Sequence, residues 1–246
     1  MLLQETLRLD AETQRLQALR PYRTMVESQH PVFREVVKLT AKIFLAQTVL
    51  LSLIDADTVF HASNTGLPDL PSTISWEYSI CATAVYQNGT TVFSDLQHAP
   101  CPWVRPDIQA SSGIAFYAGH PLTTVAGQPI GMLCVLDQNA RTFSPEEQLV
   151  LERLAGLSMR VLDLQLALTH EPAQSPVVWQ AINERISLSI QRLETLTALA
   201  QWETSPETPA AQSYITSMHE ERLLITQNID REISIAFACL TQEGKA

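Results

Sequence analysis

Apolar side chains recur at helical spacing over the first 45 residues. Leu3, Leu7, Leu9, Leu16 and Leu19 predict an amphipathic helix that ends before Pro21. Val36, Val37, Leu39, Thr40, Ile43 and Phe44 predict the buried stripe of a second helix over 31–44. The period then changes. TVLLSLI (48–54) is a β-rich run closed by the polar turn Asp55-Ala56-Asp57, and TVFHAS can return beside it as a hairpin partner. Asn64, Gly66, Pro68 and Pro71 mark a loop, residues 79–86 read as a short helix, and 91–94 as a short strand. Two longer strands, 113–122 and 129–136, are joined by TTVAGQ, whose Gly127 suits the positive φ of a hairpin turn.

A strong helix start follows. Ser144, Pro145 and Glu147 stand at the N-cap, first and third helical positions, the arrangement of a capping box. Val150, Leu154, Leu157, Val161, Leu164 and Leu168 then step by four and three as a heptad seam, which Leu151, Leu162 and Leu166 widen. HEPAQSP (170–176) breaks that helix. Trp179, Ile182, Ile186, Ser189, Leu193, Leu196 and Ala200 form a further stripe. After TSPETP (204–209), Ile215, Met218, Ile225, Ile229, Ile233, Ala236 and Leu240 form the last. These patterns predict an α+β fold: a central antiparallel sheet of about five or six strands, with N- and C-terminal helices on one face, plus a C-terminal αα-hairpin. The expected organisation is a helix over 1–19, a domain over 20–168 and the hairpin over 177–241.

Composition narrows the partners. The net charge is −10, and no segment gathers enough Lys and Arg to neutralise phosphates, so neither nucleic acid nor an anionic membrane is an expected partner. Beyond residue 170, ten acids face five bases, which reads as a solvated helical surface. The apolar run 43–54 is too short to cross a bilayer. The acidic N-terminus does not resemble a signal peptide, and a cytoplasmic location is expected. Cys81, Cys101, Cys134 and Cys239 show neither C-x-x-C pairs nor regular spacing, which speaks for reduced thiols and against structural zinc.

Several segments carry a more specific signal in order: SICATAV (79–85), IAFYAGHPL (114–122), IGMLCVLD (130–137) and ARTFSPEE (140–147), with RLQALRPY (15–22) and LSLIDAD (51–57) upstream. Together they closely resemble bacterial GAF domains. That resemblance implies a sheet with helices on one face and a ligand pocket under loops on the other. It also implies a sensor that passes ligand occupancy through its terminal helices. No cyclase, phosphodiesterase or kinase segment is recognisable, so an output partner is expected, and the seams at 150–168 and 179–200 suit that coupling and a homodimer through helices equally. Such domains bind cyclic nucleotides, tetrapyrroles, small metabolites or metal-bound gases, and the resemblance does not choose among them. Members of this subgroup usually carry an Arg where this chain has Ala115, so an anion held there is in doubt and the pocket is expected to be more apolar.

Alternation places Ile114, Phe116 and Ala118 towards a helical core, and Ala115, Tyr117 and Gly119 towards a pocket wall. The loop Phe93, Asp95, His98, Cys101, Trp103 is dense in aromatic, acidic and thiol groups. It reads as a lid, with Trp103 supplying apolar area and Asp95 accepting hydrogen bonds, or simply as a loop pinned by its prolines. The candidate ligand-binding set is therefore Phe93, Asp95, Cys101, Trp103, Ala115, Tyr117 and Cys81. Cys81 and Cys101 also match, in part, cysteine positions of GAF-fold free methionine sulfoxide reductases. However, the upstream resolving cysteine is missing, and Gly113 and Ala115 or Tyr117 replace that family's acids, so Cys81 and Cys134 read as small buried hydrophobes. His61, His98 and His120 lack metal-ligand spacing, and no metal is expected. His170 and His219, each followed by Glu, lack any accompanying ATP-binding domain and read as surface histidines. A third reading is a ligand-free pocket in a protein-interaction module.

Overall fold

The structure is a computed structural model that describes residues 2–27, 31–87, 89–102, 104, 107, 112–169, 171–202 and 208–243. Among these, six strands form one antiparallel sheet in the order β3-β2-β1-β6-β5-β4. They are β1 (Thr48–Ile54), β2 (Thr58–Thr65), β3 (Thr73–Ser75), β4 (Thr91–Phe93), β5 (Phe116–Thr123) and β6 (Pro129–Asp137). Helices α1 (Leu2–Glu27), α2 (Pro31–Phe44) and α4 (Pro145–Leu168) pack on one face of it, and the short α3 (Ile80–Ala84) lies on the other. Helices α5 (Ser175–Trp202) and α6 (Pro209–Glu243) complete the C-terminal hairpin.

Strand alternation divides the core in two. Val49, Leu51 and Leu53 of β1, Phe116, Ala118 and Leu122 of β5, and Leu133 and Val135 of β6 face the helical layer. Leu50, Ile54, Tyr117, Met132, Cys134 and Leu136 face α3 and the loop that follows β4. The expected parity of β5 holds from Phe116 onward. Ile114 departs from it and packs against the second cluster, because Gly113 takes a φ of 68° and regular pairing starts only at Phe116. Strand β3, in the stretch read as loop, pairs with Thr58, Val59 and Phe60; three residues are too few to show a period.

Helix α1 does not end before Pro21 as expected but runs on to Glu27. A proline inside a helix forfeits one hydrogen bond. Here Leu19 and Tyr22 are buried on either side of it, and the Tyr22 hydroxyl donates to Asp163 of α4 at 2.6 Å. Leu19 is buried as the leucine pattern expects, but Leu9 is exposed, and Arg15 and Tyr22, outside that pattern, are inside.

ARTFSPEE acts as a corner piece. Ser144 Oγ accepts from the Glu147 amide, and Glu147 Oε2 accepts from the Ser144 amide at 2.9 Å, closing the capping box. The other Glu147 oxygen accepts from Arg141 at 2.7 Å. Arg141 also donates to the Phe44 carbonyl and stacks on Phe116 and Phe143.

Among the described residues, most of the stripe positions on the C-terminal helices are buried within the chain. Val150, Leu154, Leu157, Val161, Leu164 and Leu168 of α4 are buried. So are Trp179, Ile182, Ile186 and Leu193 of α5, and Ile225, Ile229, Ile233 and Ala236 of α6. Contacts of α5 with α2, and of α6 with α4, make the hairpin a second helical layer over the domain. Arg160 of α4 pairs with Asp230 and donates to Ser234 of α6, and Arg185 pairs with Glu232 at 2.6 Å. Among the described residues, no helix is long and apolar enough to cross a membrane.

Candidate functional site

The α3 side of the sheet brings together most of the residues singled out from sequence. Tyr117 rises from the start of β5 with no exposed surface, and its ring folds back over Gly119. A Cβ at Gly119 would collide with the Tyr117 hydroxyl, so the glycine makes the room for the phenol. The hydroxyl ends between two thiols, 3.6 Å from Cys81 Sγ and 3.3 Å from Cys134 Sγ, and the sulfurs themselves are 2.9 Å apart. All three groups are buried, and both cysteines are free thiols. Burial and the neighbouring thiols push the Tyr117 phenol well above its ordinary pKa. Burial raises Cys134 too. Cys81 goes the other way: hydrogen bonds from Cys134, Tyr117 and Ser79 outweigh its burial and lower it.

Phe93 closes one side, its ring centroid 6.2 Å from that of Tyr117. Cys101 is buried in the same cluster with Leu96 and Val104. Ala115 is buried where β5 begins, its amide donating to Asp137 and its carbonyl accepting from Leu96. Asp95 is turned to its own loop: its carboxylate accepts from the amides of Gln97 and His98 and pairs with His98 Nδ1 at 2.7 Å. These bonds hold the Asp95 carboxyl below its usual range, the His98 side chain foremost. Trp103 lies outside the described residues. Cys81, Phe93, Cys101 and Tyr117 thus share one cluster, Ala115 meets it only through its backbone bond to Leu96, and Asp95 shapes the turn leading into it.

Two features were not singled out from sequence. Cys134, read there as a small hydrophobe, is the closest neighbour of the Cys81 thiol. Its strand parity with Met132 and Leu136 was available from alternation; the contact needed the position of α3. The other feature is a bridge from this face to α1. Arg15, 2% exposed, donates to Ile54 O at 2.6 Å and to both Glu12 carboxylate oxygens. Glu12 Oε2 also accepts from Tyr86, just beyond α3, whose ring lies beneath the Arg15 guanidinium and edge-on to Trp76. Burial raises the Tyr86 phenol to about 12. The 12/15/19/22 spacing could have revealed this face, but a charged pair is a poor signal of burial.

His61 of β2 is buried beside Ser52 of β1, its Nδ1 2.9 Å from Ser52 Oγ and its Nε2 without a partner. Desolvation lowers its pKa to about 4, leaving the ring neutral near pH 7. Among the described residues, no three His, Cys, Asp or Glu side chains converge as a metal site.

An all-antiparallel sheet with terminal helices on one side, and a buried cluster under a short helix and a loop on the other, defines an α+β domain. The family model for the GAF domain matches residues 29–162, and the chain belongs to that family. It is similar to the cyclic di-GMP phosphodiesterase PA2567 of Pseudomonas aeruginosa, with 29% identity over 176 residues, which is 71% of this chain and 30% of the relative. It is also similar to the diguanylate cyclase DgcP of Escherichia coli, with 25% identity over 137 residues, 53% of this chain and 39% of the relative. The chain therefore matches about a third of the length of these curated relatives. Among solved structures, the GAF domain of an Acinetobacter phosphoenolpyruvate-protein phosphotransferase superposes with a TM-score of 0.48 at 14% identity, over 64% of this chain and 98% of that one.

Proposed function

We propose that the chain is a small-molecule sensor module without a catalytic step of its own. Its ligand sits on the α3 side of the sheet, against Phe93, Ala115 and Tyr117 and beneath the turn at Asp95 to His98. The observation that carries this reading is the Arg15–Glu12–Tyr86 bridge. Any ligand that displaces α3 must move Tyr86, and with it a buried ion pair anchored to the β1–β2 turn and to α1. A buried pair resists small adjustments and favours discrete arrangements, which suits a switch. The two relatives are named for cyclic di-GMP breakdown and synthesis, which supports signalling as the context. A cytoplasmic location fits that context.

Native mass spectrometry of the protein purified from its own host tests this directly. The expected spectrum shows a bound small molecule whose removal lowers the melting temperature. Protein that is always ligand-free, with no thermal shift against nucleotides and small metabolites, would overturn the reading.

A second reading, a ligand-free interaction module, is favoured by one observation: Tyr117 and the two thiols fill the space beneath α3 with side chains. In that case the apolar cleft of about 610 Å³ between the start of α4 and α6, lined by Phe44, Leu149, Val150 and Leu223, would receive the partner. The same spectra report subunit count. A homodimer would have to use surface outside the buried seam positions, such as exposed Val177 and Leu188 of α5.

A further inference from the structure

The relay through Tyr86, Glu12 and Arg15 does not use the thiols of Cys81 and Cys134. This cysteine pair joins the first turn of α3 to the middle of β6, with sulfurs 2.9 Å apart and the Tyr117 hydroxyl touching both. We propose that this pair is a modification site for small hydroperoxides, closing a reversible disulfide that staples α3 to the sheet. The reaction does not depend on which ligand the domain holds.

Chemistry and geometry divide the roles. Cys81 stands on the five-residue α3, the element that local opening frees, whereas Cys134 is held in β6 between β1 and β5, so Cys81 meets the oxidant first, and hydrogen bonds to its sulfur favour the nucleophilic thiolate. Cys81 sulfur attacks one oxygen of hydrogen peroxide. The S–O bond forms as the O–O bond breaks, and the departing hydroxide takes the Cys81 proton and leaves as water. Cys134 sulfur then attacks the sulfenic sulfur of Cys81; the S–S bond forms, the S–O bond breaks, and the second hydroxide leaves as water with the Cys134 proton. Two thiols lose two electrons and two hydrogens, and one peroxide becomes two waters. Tyr117 is a positioning residue that hydrogen-bonds both sulfurs.

Burial selects the oxidant. Hydrogen peroxide is neutral and close to water in size, so local opening of α3 admits it, whereas a bulky disulfide such as oxidised glutathione is excluded. The bond would pull on the segment that carries Tyr86, and so on the Glu12–Arg15 pair of α1.

The test exposes the native full-length chain to graded hydrogen peroxide, quenches with acid, alkylates after unfolding, and maps peptides by mass spectrometry. The exposed thiol of Cys239 reports ordinary surface oxidation within the same sample. The expected result is loss of two alkylatable thiols, a peptide cross-linked between Cys81 and Cys134, and full reversal by dithiothreitol. In Cys134→Ala, whose small side chain suits the buried site, Cys81 should instead accumulate as a dimedone-reactive sulfenic acid. The proposal is overturned if Cys81 and Cys134 stay alkylatable at peroxide levels that oxidise Cys239. A Cys81–Cys101 bond, or a cross-link that forms only in unfolded protein, overturns it equally.

Discussion

His61 carries a pH dependence that belongs to a single side chain. Its folded pKa of about 4 lies below the usual 6.5, so between those values the unfolded chain binds a proton that the folded chain refuses. The stabilisation from keeping the ring neutral is fully present above about pH 6.5. It is lost as pH falls towards 4, by up to roughly 3 kcal/mol. In His61→Gln the urea midpoint should lose this slope; parallel pH profiles for the two proteins would show that His61 is not its source. Gly119 offers a second residue-scale test. Gly119→Ala drives a methyl into the Tyr117 hydroxyl and should cost about 1–3 kcal/mol, and less in a Tyr117→Phe background, which lacks that oxygen. Strictly additive costs in denaturation would refute the clash. The sequence placed Tyr117 and Gly119 on one face, because strand parity is local. It did not reveal that the phenol needs the glycine, because that depends on how the ring lies.

Two elements, α1 and α4, are pinned by ion pairs of different kinds. At α4, Ser144→Ala removes one arm of the capping box and should cost about 1 kcal/mol. Glu147→Ala should cost more, since it also unpairs Arg141 from the corner at Phe44. Equal losses in thermal unfolding would mean that the arginine contact is idle. At α1, Arg15→Lys keeps the charge but loses the planar fork that spans Glu12 and Ile54 O. It should destabilise by roughly 1.5–3 kcal/mol, as the loss of a hydrogen bond made by a charged group does, and raise amide exchange in residues 12–22. Unchanged exchange there would remove α1 from the proposed relay. The start of α4 was legible because a capping box lies within four residues of sequence. The persistence of α1 through Pro21 was not, because Tyr22 meets Asp163, 141 positions away.

At the scale of the whole molecule, the hairpin of α5 and α6 acts as a cover. Residues 1–168 alone would bare the faces of α2 and α4 that the hairpin now contacts. That fragment should self-associate or aggregate where the full chain does not, since exposed apolar surface of this kind drives association. Light scattering on both proteins reads the outcome, and a monodisperse monomeric fragment would show that the hairpin is dispensable to the domain.

By itself the sequence determined the order and type of the longer elements, the two faces of the sheet and the family. All of these rest on spacing within a few residues or on motifs in sequence order. Only the tertiary structure decided that the helical seams close on one another within one chain. A heptad stripe has the same spacing whether its partner is another helix of the chain or a second copy. Only the fold, too, decided that the thiol beside Cys81 belongs to Cys134, because a cysteine's neighbour is set by the packing of α3 on β6, across 53 residues of chain.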